Sequence, residues 1–143
     1  MQNHIKKFGI SVLLLSVVLA PHSFAADESV SIPVTEMKYT DTGNGPVKVA
    51  PGYGLRSSGA HSNFVKLPGG FVSPPHFHTE DYYATVVTGV MANGKVGAQD
   101  IPLPPGSYYF QKGKERHVTK CLSSTECVFF TAQPGSADFV LSK

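Results

Sequence analysis

The chain has no tryptophan, only two cysteines, and charge on only 15% of its 143 residues. Two cysteines cannot build a multi-bridge scaffold or a four-cysteine metal site. No block of like charge occurs, and the formal net charge of +2 excludes nucleic-acid binding by electrostatics. No 20–50-residue repeat is present, which excludes a solenoid or propeller. Beyond residue 25, no window of eleven or more residues carries a 3.6-residue apolar period, so an α-helical domain is not expected. The longest apolar run, Phe8 to Ala20, is thirteen residues, short of the roughly 20 that a spanning helix needs.

That short run has a different reading. Lys6 and Lys7 precede it, and Ser23-Phe24-Ala25 follows with small residues at the −3 and −1 positions of a cleavage site. Residues 1–25 are therefore expected to be a secretory signal peptide, with a membrane anchor as the rival. Cleavage would make the protein periplasmic or secreted, with no membrane contact afterwards. It would also remove two of the twelve basic residues and no acid, leaving ten of each sign. An exported chain of this size supports one domain.

Cys121 and Cys127 both lie beyond the signal segment. An even count in an exported protein favours a disulfide. Two free thiols, or a Cys121 thiolate facing a pocket, are the alternatives.

What the chain does have is glycine (14), proline (11) and short β-rich runs. The runs are Val34–Tyr39, Val47–Ala50, Asn63–Leu67, Tyr82–Val90, Ser107–Gln111, His117–Lys120, Val128–Ala132 and Phe139–Leu141. Asn93-Gly94 reads as a tight turn. Many short, evenly spaced strands predict an all-β sandwich or barrel. The expected organisation is a signal peptide (1–25), an N-terminal segment with an opening strand (26–44) and a β-barrel domain (45–143).

Histidines carry the functional argument. His76-Phe77-His78 places two imidazoles two residues apart. Side chains alternate on a strand, so both would face one side, a ready nitrogen platform for a divalent transition metal. His117 stands on a later run, and His61 reads as a surface or hydrogen-bonding residue. Gly70 stands before the pair, Pro74-Pro75 leads into it, and Gly89 follows; Gly113 precedes His117.

With these residues the sequence resembles the cupin superfamily. Its first motif, G-x5-H-x-H-x3-4-E-x6-G, is matched from Gly70 through His76 and His78 to Gly89. Its second motif, G-x5-P-x-G-x2-H-x3-N, is matched loosely by Gly113 and His117, with one extra residue between them. More narrowly, the stretch from Gly69 to Cys127 resembles small exported bacterial proteins with a ChrR-like or DUF4437-like cupin domain. The resemblance covers roughly residues 45–142. It implies a single-domain antiparallel jelly-roll β-barrel, with His76, His78 and His117 meeting at one mouth as metal ligands.

The departures from the pattern are informative. The family's glutamate ligand falls at Tyr82, a phenol with an unperturbed pKa near 10. Tyr82 and Glu80 are the candidates for a fourth ligand or supporting group. Glu80 shares the parity of His76 and His78 on a regular strand, though charged residues after a turn normally face water; a bulge would promote Asp81 instead. The second-motif proline is Gln111, and its asparagine is Cys121. Tyr83 and Tyr108 are candidate pocket residues, while Phe110, Phe129 and Phe130 read as core.

Two function classes follow. In one, the chain is a metal-dependent enzyme, a dioxygenase or Lewis-acid catalyst, using Fe, Mn, Ni, Cu or Zn on a small anionic substrate. In the other, it is a non-catalytic module that holds a metal or small ligand. A small-molecule partner is expected in both, and a homodimer stays open.

Overall fold

A computed structural model describes residues 29–142. The signal-peptide reading of residues 1–25 lies outside the described residues. Among these, no helix is long and apolar enough to cross a membrane.

Among the described residues, ten strands form two antiparallel sheets. In chain order they are β1 (Thr40–Asp41), β2 (Lys48–Gly54), β3 (His61–Leu67), β4 (His76–Phe77), β5 (Tyr82–Thr88), β6 (Met91–Lys95), β7 (Tyr108–Gln111), β8 (His117–Cys121), β9 (Cys127–Gln133) and β10 (Val140–Leu141). One sheet runs β1-β2-β3-β9-β5-β7 and the other β10-β4-β8-β6. The two sheets remain open at their edges, and the fold is an all-β antiparallel jelly roll.

Period-two alternation explains the packing. In β9, Cys127, Phe129, Thr131 and Gln133 are buried while the residues between them are not. In β8 the buried set is His117, Thr119 and Cys121. Inward apolar side chains Leu67, Val86, Met91, Cys121, Cys127 and Phe129 form the core. Fully burying a side chain of this size contributes about 1.5–3 kcal/mol. Cys121 and Cys127 meet at disulfide-bonding distance, Cα atoms 5.7 Å apart, at this apolar end. Gly89, at the end of β5, has φ +75°, and a Cβ there would stand 2.6 Å from Cys127 Sγ, so only glycine fits.

Two expectations need correction. Val34–Glu36, read as part of a strand, is a single 3₁₀ turn with no buried residue. Asn93-Gly94, read as a turn, lies inside β6, where Asn93 pairs with Thr119. Its amide is used inward: Asn93 Nδ2 donates to Gln111 Oε1 (2.8 Å), and Thr119 Oγ1 donates to Asn93 Oδ1 (2.7 Å). Those tertiary hydrogen bonds outweigh the local turn preference.

Candidate metal centre

The proline pair shapes the site. Val72 and Ser73 pair with β8, through a bridge from Val72 to Lys120 and Ser73 N donating to Thr119 O (3.0 Å). Pro74-Pro75 cannot continue that ladder, because proline lacks an N–H. Pairing resumes at His76, which stands directly opposite His117. His78 lies just past the end of β4. The Lys112–Arg116 loop holds it in place, with Lys114 N donating to the His78 carbonyl (2.7 Å) and Gly113 N donating to Asp81 Oδ1 (2.6 Å). A Cβ on Gly113 would be 2.6 Å from the Thr79 carbonyl. This glycine therefore permits the approach of the two loops that brings His78 towards His117.

The three imidazoles converge. Ring centroids are 4.2 Å apart for His76 and His117, 5.0 Å for His76 and His78, and 5.3 Å for His78 and His117. One nitrogen from each lies within 4.8 Å of the others. Each ring is oriented from behind by a carbonyl. His76 Nδ1 donates to Pro74 O (2.9 Å), His78 Nδ1 to Asp138 O (2.6 Å) and His117 Nδ1 to Glu115 O (3.0 Å). A carbonyl only accepts, so Nδ1 carries the proton in all three, and every Nε2 keeps a free lone pair. His117 Nε2 is fully buried with no hydrogen-bond partner. Phe139 stacks on His76 at 4.2 Å and limits its rotation.

Electrostatics keep the triad neutral. Burial, aided by the mutual repulsion of the rings, lowers His76 and His117 to about 4. Burial lowers His78 as well, against the upward pull of the Asp138 carbonyl and carboxylate. Clustered, uncharged imidazoles with free Nε2 lone pairs, each backed by a hydrogen bond from Nδ1 to a carbonyl, fit a divalent transition metal.

The triad borders a cavity of about 500 Å³, lined by His76, His78 and Tyr82 among others; His117 reaches the cluster without lining it. Tyr82 lies edge-on to His78 at 5.2 Å. Burial pushes its phenol up to about 12, with the Tyr109 and Thr119 hydroxyls acting the other way. Tyr82 is thus a buried, neutral neighbour of the triad.

Other expected site residues lie elsewhere. Glu80 is exposed, its side chain resting against Gly135, because the strand ends at Phe77 and the following loop breaks the parity that would have turned it inward. Tyr83 (46% exposed) and Tyr108 (60%) point to solvent on the outer face of the sheet. With Tyr82 and Tyr109 inward, alternation forces their neighbours outward. The same phase places Phe110 outside, against Tyr83, and pairs Phe130 with Phe64 on that face; only Phe129 of the three phenylalanines is in the core.

The motifs did not point to Arg56, His61, Asn63, Gln133 or Asp138, which also line the cavity. His61 is buried, with Nδ1 donating to Gly59 O (2.9 Å). Asp138 accepts from both the backbone N and Oγ1 of Thr79. Those bonds and the nearby His78 outweigh partial burial and hold its carboxyl below the usual range.

Residues 52–139 match the family described as "Domain of unknown function (DUF4437)". The chain belongs to the DUF4437 family. Solved structures with the same fold include an RmlC-like cupin from Shewanella frigidimarina, 19% identical, covering 76% of this chain and 92% of that one, with a TM-score of 0.58. The polyketide cyclase RemF from Streptomyces resistomycificus is 16% identical, with 81% and 87% coverage and a TM-score of 0.64. A predicted oxalate decarboxylase from Thermotoga maritima is 18% identical, with 74% and 99% coverage and a TM-score of 0.58. No functionally curated protein matches the sequence. At these identities the structures show that this DUF4437 chain has a cupin-superfamily fold and leave its chemistry to the site.

Proposed function

We propose that this DUF4437 cupin binds one divalent transition metal through Nε2 of His76, His78 and His117 and uses it to take up a small anionic molecule. One observation carries the reading: three neutral imidazoles, each with Nδ1 committed to a carbonyl, converge so that one nitrogen from each lies within 4.8 Å of the others. A divalent ion there supplies Lewis acidity or, if redox-active, oxygen chemistry. The protein's own part is to hold three neutral ligands and to supply no carboxylate among them. The ion's charge is then balanced by an incoming anion. Structural likeness to a cyclase and a predicted decarboxylase supports a small-molecule ligand, by analogy of fold.

Metal analysis of the untagged protein beside a His76→Ala/His78→Ala variant tests this. Near-stoichiometric metal in the parent and none in the variant is expected. A parent that takes up neither Fe, Mn, Ni, Cu nor Zn when each is offered overturns it.

A non-catalytic binding module is the second reading, favoured by Tyr82. Where the cupin pattern has a glutamate, this site has a phenol held protonated, which is a poor general base near neutrality. Turnover by a fully metallated protein would decide against the module.

Export belongs to the same proposal. The basic start, short apolar run and Ser23-Phe24-Ala25 site support it, as does the Cys121–Cys127 pair at bonding distance. A mature N-terminus at Ala26 is the expected result of sequencing the protein from the producing cells.

A further inference from the structure

The cavity has a second charged wall that the metal reading does not use. Arg56, from the β2–β3 loop, lines it together with His76 and His78. Its guanidinium is half-buried, and burial lowers its pKa. It shares the cavity with His78, on which its positive charge acts. Among the described residues it has no carboxylate partner within ion-pair distance. Asp138, the acid that shares the cavity, gives its oxygens to Thr79. A partly desolvated guanidinium facing a cavity without a counter-ion has an unmet demand for an anion, and its fork matches a carboxylate bidentately.

The wall beside it is neutral and polar. His61, Asn63, Thr131 and Gln133 are buried side chains of β3 and β9 that line the same cavity. His61 has its Nδ1 committed to Gly59, so its Nε2 is a free acceptor. Gln133 donates to Ser136 O and keeps its carbonyl oxygen free of protein partners. Four buried polar groups on one wall suit hydroxyls, while Val49, Val65, Phe71 and Phe129 of the same cavity suit the carbon skeleton that bears them.

We infer that Arg56 is the specificity-determining anchor of the cavity, gripping the carboxylate of a small hydroxylated acid whose hydroxyls meet the His61, Asn63, Thr131 and Gln133 wall. The inference rests on the metal-site reading only for the ligand's second anchor, an oxygen facing the three histidines.

Calorimetry on the full mature chain tests it, with and without added metal. The probes are lactate, glycerate, gluconate and galacturonate, with acetate lacking the hydroxyls and sorbitol lacking the carboxylate. At least one hydroxy acid is expected to bind better than both controls. Arg56→Gln should weaken that binding at least about tenfold, and Arg56→Lys by less. Melting curves check that both variants fold. Equal binding by Arg56→Gln and parent overturns the assignment, as does sorbitol binding as well as the acids, or no hydroxy acid binding at millimolar concentration. Metal content of the same samples separates the two readings. Arg56→Gln should keep the parent's metal, whereas acid binding through Arg56 in a protein that takes up no metal would remove the metal centre and leave the carboxylate anchor standing.

Discussion

The two ends of the barrel interior are built by the same strands and differ in what their inward positions carry. Along β3 and β9, the pairs run from His61–Gln133 and Asn63–Thr131 to Val65–Phe129 and Leu67–Cys127. Across β8 and its neighbours they run from His76–His117 through Asn93–Thr119 to Met91–Cys121. One end is sealed by apolar packing and the Cys121–Cys127 pair; the other opens into a cavity that carries the polar and histidine side chains beside an apolar lining of Val49, Val65, Phe71 and Phe129. A sheet's hydrogen-bonding ladder is indifferent to side-chain type, so the fold can hold its stability at one end and its chemistry at the other. Along β9 the inward residues change from apolar to polar between Phe129 and Thr131, a single inward step, and both line the cavity.

If that division is real, damage to the apolar end should cost stability and leave the site alone. Met91 is 0% exposed, and Met91→Ala is expected to lose about 2–5 kcal/mol in denaturant unfolding. Metal content per folded molecule should not change.

Acid should strike the polar end. His76 and His117 have their pKa lowered to about 4, against an unfolded value near 6.5. Between those values the unfolded chain binds more protons, so stability rises with pH. Metal-free protein should therefore lose stability as pH falls from about 6.5 to about 4, on the order of 3 kcal/mol for one such histidine. A His117→Asn variant should show a shallower slope over that window, and Met91→Ala the parental slope.

The middle is tested by Asn93→Ala. It strands Gln111 Oε1 and the Thr119 hydroxyl, both in the interior, and should cost about 1–3 kcal/mol. The smallest effect belongs to the outer face. Tyr83→Ser and Tyr108→Ser should each change stability by no more than about 0.5 kcal/mol and leave metal content unchanged.

How much of this was legible is clearest at the tyrosines. Tyr82-Tyr83 and Tyr108-Tyr109 each put one phenol in and one out, and two identical neighbours give no sign of the strand's phase. The pairing of Tyr82 with Gln111 and of Ala84 with Tyr109 settles it. The histidine pair was legible for a reason only partly right. His76 is on a strand, but His78 lies past its end, held by the Asp138 carbonyl and Lys114 and not by strand parity.

The sequence by itself determined the all-β class, most of the longer strands, and the three histidines as candidates, because these depend on local alternation, turn residues and short spacings. Only the tertiary structure decided that Asn93 sits within a strand, that Tyr83 and Tyr108 face outward, and that Arg56, His61 and Asp138 line the cavity beside His76 and His78. Arg56 and Asp138 are far apart in the chain, and they come to line one cavity where Ala137 N donates to the Arg56 carbonyl (2.8 Å). Contacts of that range are set by how sheets pair and loops close, which no local pattern encodes.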